Sequence, residues 1–140
     1  MATIHHELEI SAPAARVYAA LSSPEAIGTW WDEQTPRQTE RGLVLEHHPG
    51  PQHGVVKLLV VERVPNWRVE WECVSSHPAS SPASAWTGTH FIFELAERDG
   101  ATMLDFSQTG YDEQSPFFAA NEAAWGEVLA NLKRVVEARR

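Results

Sequence analysis

The chain begins with an alternating stretch. From Thr3 to Ile10, Ile4, His6, Leu8 and Ile10 fall on one side and His5, Glu7 and Glu9 on the other, the period of a half-buried strand. Ser11-Ala12-Pro13 breaks it. From Pro13 the apolar spacing changes to Val17 and Leu21 among alanines, which predicts a short helix ending before Ser22-Ser23-Pro24, and a second short helix follows from Pro24 to Trp31. Strand-like stretches come next: Arg37 to Glu40, Leu43 to His48, Val55 to Val64, Trp67 to Val74, Trp86 to Ala96 and Thr102 to Thr109. Turn signals separate them. The loop from His48 through Pro49-Gly50-Pro51-Gln52-His53 to Gly54, the Pro65-Asn66 pair and Asp99-Gly100 all suit hairpin connections, and Ser75 to Ala85 is a longer Ser/Pro/Ala-rich loop.

The closing segment, Ser115 to Arg140, has helical spacing. Ser115 offers an N-cap oxygen and Pro116 suits the first helical position. Steps of four and three give Phe118, Glu122, Trp125, Leu129, Leu132 and Val136 as one stripe, with Glu122 the polar member among Ala119, Ala120, Ala123 and Ala124. Small residues there predict room beneath the first half of the helix. Gly126 interrupts it at a cost of about 1 kcal/mol relative to Ala, which calls for a close approach or a bend.

One strand, two short helices, a run of strands and a long helix make an α+β order without βαβ repetition. The expectation is one domain over 1–140, in which six or seven antiparallel strands form a curved sheet around the C-terminal helix. Trp67, Val69, Trp71 and Cys73 are expected on its covered face, with Phe91, Phe93 and Leu95, and with Leu104, Phe106 and Gln108.

Composition narrows the partners. A length of 140 residues with 43% hydrophobic content suffices for one core, and a formal charge of −8 with scattered Lys and Arg argues against nucleic acid or an anionic membrane surface. No apolar run approaches the ~20 residues of a membrane span, and the N-terminus reads as a strand rather than a signal segment. The single cysteine, Cys73, allows no intramolecular disulfide and is read as inert core; with it, a cytoplasmic setting is expected. Neighbouring histidines in strands face opposite ways, so neither His5-His6 nor His47-His48 chelates as a pair. His48 and His53 across the hairpin fall short of a ligand set, so no metal and no cofactor is expected. Asp32-Glu33 is read as solvated charge. There is no nucleophile elbow, phosphate loop or His-Glu-x-x-His motif.

Ile10-Ser11-Ala12-Pro13 running into Val17-Tyr18-Ala19-Ala20-Leu21, then Ser23-Pro24-Glu25 and Trp30-Trp31, carry a family resemblance. At the far end it rests on Phe91 to Leu95, the Thr102 strand closing at Gly110, and Trp125 with Leu129, Leu132 and Lys133. In these features the chain resembles the START-like helix-grip superfamily, which includes polyketide cyclases and the pollen-allergen fold, and within it the branch named for the heat-shock-protein ATPase activator. The resemblance implies a cavity between the last helix and the sheet.

Six tryptophans in a chain this short supply large, flat surfaces for such a cavity. The expected wall is Trp71, Trp86, Phe91, Phe93, Phe106, Phe118 and Trp125, with Trp30 and Trp31 at the rim and Gln108, Tyr111, Asn121 and Glu122 as the polar groups. The leading expectation is a binder of a small, largely hydrophobic molecule. Two alternatives stand beside it. One is a cyclase- or dehydratase-type enzyme in which Glu122 and Tyr111 move a proton. The other is a chaperone-regulating or protein-interaction domain, or a homodimer, with tryptophans at an interface.

Overall fold

A computed structural model describes residues 2–50, 53–112 and 114–138. Pro51 and Gln52 of the expected hairpin loop, and Arg139 and Arg140 of the closing helix, lie outside the described residues. Strand β1 (Ala2–Ile10) leads to helices α1 (Ala14–Ser22) and α2 (Pro24–Ile27). Six strands follow: β2 (Thr35–Thr39), β3 (Gly42–His47), β4 (Val56–Val64), β5 (Arg68–Cys73), β6 (His90–Arg98) and β7 (Ala101–Tyr111). Helix α3 (Phe118–Ala138) closes the chain. The strands form one sheet in the order β1-β7-β6-β5-β4-β3-β2, every pairing antiparallel. With α3 against it this is the helix-grip architecture, and none of the described helices is long and apolar enough to cross a membrane.

Local chemistry sets the boundaries. Ser23 accepts a hydrogen bond from the Ala26 N–H through its hydroxyl, and Pro24 takes the first position of α2. Asp99 (φ 55°) and Gly100 (φ 80°) both adopt the left-handed conformation that a two-residue hairpin turn requires between β6 and β7. Ser115 caps α3 by accepting from the Phe117 N–H at 3.2 Å.

Register then builds the inner face row by row. Trp71 lies opposite Phe91, Phe91 opposite Gln108, and Gln108 opposite Ile4; in the next row Val69 faces Phe93, Phe93 faces Phe106, and Phe106 faces His6. All of these except His6 are fully buried or nearly so. Helix α3 covers the rows with Asn121, Trp125, Leu129, Leu132 and Val136. Its second half is fastened to the end of β1, where Lys133 Nζ donates to the Glu9 carbonyl at 2.7 Å and Glu137 accepts from the Ser11 N–H at 2.7 Å.

Two expected elements differ. Trp67 was expected on the covered face. It belongs instead to the turn completed by Asn66 (φ 63°), its N–H bonding the Val64 carbonyl, and is 52% exposed. Trp86 was expected to open a strand, but it ends a 3-10 turn, Pro82–Trp86, capped by the Ser81 hydroxyl, and β6 starts only after Gly88 (φ 82°). Ser81-Pro82 is a helix-start pair inside a stretch that otherwise reads as loop.

Candidate functional site

The aromatic side chains of the inner face touch one another in a continuous cluster. Trp125 packs on Phe106 with ring centroids 4.5 Å apart, on Phe91 at 5.6 Å and on Trp31 at 5.0 Å. Trp71 stacks against Trp31 at 6.1 Å with planes 8° apart and meets Phe93 at 5.0 Å. Beyond buried area, pairs of this kind contribute about 0.5–1.5 kcal/mol each. The volume directly beneath the first half of α3 is therefore filled by side chains.

The open space lies to one side. A cavity of about 200 Å³ is bounded by Trp31, Trp86 and Trp125, by Ala124 and Val128 of α3, by Pro82 and Ala83 of the 3-10 turn, and by His47, His53 and Val56 around the β3–β4 connection. It is smaller than the roughly 300–1,000 Å³ of sites that enclose drug-sized ligands. Three tryptophan faces give it an apolar wall, and the helix contributes the space because Ala124 stops at Cβ.

Polar groups stand at two depths. The outer set is fixed by a chain of hydrogen bonds. Gln34 donates through Nε2 to the Asp32 carbonyl at 2.8 Å, which turns its Oε1 toward His47 Nδ1 at 3.1 Å. His47 Nδ1 must then carry the proton, and Nε2, 3.7 Å from the Asp32 carboxylate, is left bare in the neutral ring. His47 is 2% exposed; burial, reinforced by His48 and His77, lowers its pKa to about 4, so it is neutral near pH 7. Burial also raises the Asp32 pKa, although its carboxylate stays half-exposed at the cavity mouth. His53 is held by Ser81. That hydroxyl accepts from the Ala83 N–H and shares a second hydrogen bond of 2.6 Å with His53 Nδ1, which fixes the ring's position.

The inner set is loosely paired. The Tyr111 hydroxyl faces Trp86, Gln108 and Asn121, and burial raises its pKa far above the usual tyrosine value, opposed by hydrogen bonding to those three neighbours. These contacts are slack: among the described residues Tyr111 Oη, Gln108 Oε1 and Trp86 Nε1 make no hydrogen bond of normal geometry, although Tyr111 and Gln108 are fully buried. Gln108 Nε2 is satisfied by Thr89 Oγ1 at 2.9 Å. Asn121 belongs to both depths: it lines the cavity, faces Tyr111, and donates through Nδ2 to the Pro82 carbonyl at 3.4 Å.

The expected site residues separate accordingly. Trp31, Trp86, Asn121 and Trp125 line the cavity; Gln108 and Tyr111 gather behind it; Trp71, Phe91, Phe93 and Phe106 form the packed core beneath. Trp30 is buried with its Nε1–H bonded to the Ala20 carbonyl at 2.8 Å, so it packs rather than gates. Phe118 is half-buried edge-on against Tyr111 at 5.4 Å. Glu122 is corrected: its side chain is exposed, and Asn121 takes the inward position. What Glu122 contributes is its backbone carbonyl, which accepts from His6 Nε2 at 2.9 Å, and the His6 ring lies against Gly126, where a Cβ would stand 3.5 Å from it. That is the close approach Gly126 called for.

His47, Asp32, Gln34 and His53 were not expected at a site. Adjacent-residue reasoning disposed of His47 as half of a metal pair without asking what a single inward histidine does. Nor do His48 and His53 form a pair: His48 is exposed and His53 bonds Ser81. Cys73 is buried with its thiol pKa raised by burial, which matches an inert core residue.

Similar folds are known. A solution structure of the Aha1 dimer from Colwellia psychrerythraea superposes with a TM-score of 0.81 at 24% identity, covering 98% of this chain and 97% of that one. Protein MLL2253 from Mesorhizobium loti gives a TM-score of 0.79 at 18% identity over 99% of both chains. CalU16 from Micromonospora echinospora gives 0.75 at 16% identity over 99% of this chain and 76% of that one. No curated protein matches the sequence. At these identities the likeness carries the fold, while a sequence-family match over residues 11–137 carries membership: the chain belongs to the family described as Activator of Hsp90 ATPase homolog 1-like protein.

Proposed function

We propose that this chain binds a small, largely hydrophobic molecule in the cavity beside the first half of α3. The observation that supports this most directly is the coincidence of a tryptophan-walled space with buried polar atoms behind it that, among the described residues, make no hydrogen bond of normal geometry. A core built only for stability pairs such atoms, because a buried hydroxyl or amide without a hydrogen bond costs about 1–3 kcal/mol. Apolar contact with Trp31, Trp86 and Trp125 would drive binding at ~25 cal/mol per Å² buried, and Asn121 would orient the ligand. A cavity of about 200 Å³ admits a single-ring molecule or the end of a longer one, not a folded polyketide chain. The cyclase-type alternative loses its acid, since Glu122 faces solvent.

Three tryptophans at the cavity make intrinsic emission the natural reporter. Titration with a panel of single-ring apolar compounds should quench or shift the emission, and native mass spectrometry of the purified protein should reveal any retained ligand. An unchanged emission across the panel, together with a bare mass, would rule the reading out.

A further inference from the structure

The outer polar set says more about the ligand than its size. Asp32 Oδ2 and His47 Nε2 stand 3.7 Å apart across the cavity mouth. Both are acceptors: the Gln34 amide fixes the imidazole proton on Nδ1, so no hydrogen bridges the pair. Two facing acceptors without a donor between them repel, and the arrangement is relieved by a group that presents at least two N–H bonds. Gln34 and His47 are 5% and 2% exposed, so the imidazole half of the pair is held in place while the Asp32 carboxylate stays half-exposed above it.

The remaining walls point the same way. Asp32 is the one formally charged residue among the described residues lining the cavity; no Lys or Arg reaches it. The rings of Trp31, Trp86 and Trp125 lie 5.0–6.3 Å from one another and offer electron-rich faces, which attract cations. Burial keeps His47 uncharged near pH 7, so no imidazolium competes for the carboxylate. The net charge of −8 adds a long-range pull of the same sign.

From this geometry we infer that the cavity takes an organic ammonium: a small aromatic or aliphatic body seated on the tryptophans, with a protonated amine donating to Asp32 Oδ2 and His47 Nε2. The inference rests on the proposed ligand-binding role and narrows it to one charge class. An anion would face a carboxylate and three electron-rich rings. A neutral hydroxyl isostere would bring one hydrogen for two acceptors and no charge for the carboxylate.

Benzylammonium, benzyl alcohol and benzoate share one ring and differ in charge, so they make the test. Titrated against the full chain at pH 7.5 with tryptophan emission as readout, benzylammonium should bind about tenfold or more tightly than benzyl alcohol, and benzoate more weakly still. Asp32→Asn should bring the benzylammonium affinity down to that of benzyl alcohol. Glu33→Gln, which removes the same charge from the adjacent exposed residue, should not. Benzyl alcohol binding as tightly as benzylammonium, or an affinity for benzylammonium indifferent to Asp32→Asn, would overturn the ammonium inference while leaving the pocket itself standing. Silence from all three probes would remove both.

Discussion

Tyr111→Phe tests whether the inner polar atoms are held open. The substitution deletes one oxygen and leaves the ring, which is fully buried and packs edge-on against Phe118, in place. In most cores deleting a buried tyrosine hydroxyl breaks a hydrogen bond and destabilises. Here the hydroxyl faces Trp86, Gln108 and Asn121 but makes no hydrogen bond of normal geometry among the described residues, so its burial carries a cost, up to about 1–3 kcal/mol for a wholly unpaired group, that the phenylalanine does not. A gain of about 1–2 kcal/mol is expected for the ligand-free protein. Unfolding entropy of ~2.1 cal/mol/K per residue amounts to about 0.3 kcal/mol/K for a chain of this length, so Tm should rise by roughly 3–7 °C in a calorimetric scan. A ligand reaching Tyr111 through the Asn121 side should lose about 1 kcal/mol, or some fivefold in affinity, because the hydrogen bond it would make is gone. Stabilisation combined with weaker binding marks a group kept at the expense of stability. If Tyr111→Phe instead lowered stability by 1 kcal/mol or more, the hydroxyl would be firmly bonded in solution to one of the neighbours it faces, Trp86, Gln108 or Asn121, and the argument from slack polar atoms would fail.

The other predictions separate the cavity from its surroundings. Glu122→Gln should leave both urea stability, within about 0.5 kcal/mol, and ligand-induced emission changes unaltered, since only its backbone carbonyl makes an internal contact. Gly126→Ala should stabilise by up to about 1 kcal/mol through helix propensity, because the new Cβ meets His6 Cε1 at an ordinary 3.5 Å; Gly126→Leu should reverse the sign by pushing that ring off the Glu122 carbonyl, and equilibrium unfolding distinguishes the two. His47 titrates near pH 4 when folded against about 6.5 when unfolded, so on acidification through that window the unfolded chain takes up a proton the folded chain refuses, and stability falls. Urea unfolding at pH 7.5 and 4.5 should show the wild type losing about 2–3 kcal/mol more than His47→Gln.

The fold was legible because period-2 and period-3.6 signals do not conflict in this chain. Phe91, Phe93 and Leu95 face inward as the alternation requires, and Asp99-Gly100 turns where its left-handed residues allow. The site was less legible, and Glu122 shows why. At about 100° per residue, Asn121 and Glu122 sit on opposite shoulders of the stripe through Trp125, Leu129 and Leu132, so spacing alone does not choose between them. The choice is made by what lies beyond each shoulder: the Pro82 carbonyl and Trp86 on one side, the partly exposed His6 on the other. Both neighbours are far away in sequence. The same holds for His47, whose role depends on Gln34 and Asp32 from a different segment.

That long-range dependence also explains where the cavity is. Alanines on the first half of α3 suggested a void beneath the helix, but Trp125 and the sheet aromatics fill that space, and Ala119, Ala120 and Ala123 look outward. The void survives only where three segments without regular pairing to one another meet: Trp31 after α2, the β3–β4 connection and the 3-10 turn. Loops of this kind are held by specific hydrogen bonds rather than by repetitive packing, and here the bonds that hold them also set the tautomer of His47 and the position of the His53 ring. Asn121 is the side chain common to both polar sets, and its Nδ2 is committed to the Pro82 carbonyl. That bond uses one of the two amide hydrogens, so the amide retains an N–H as well as its carbonyl oxygen; Asn121 favours neither polarity, and the preference for a ligand that donates rests on Asp32 and His47.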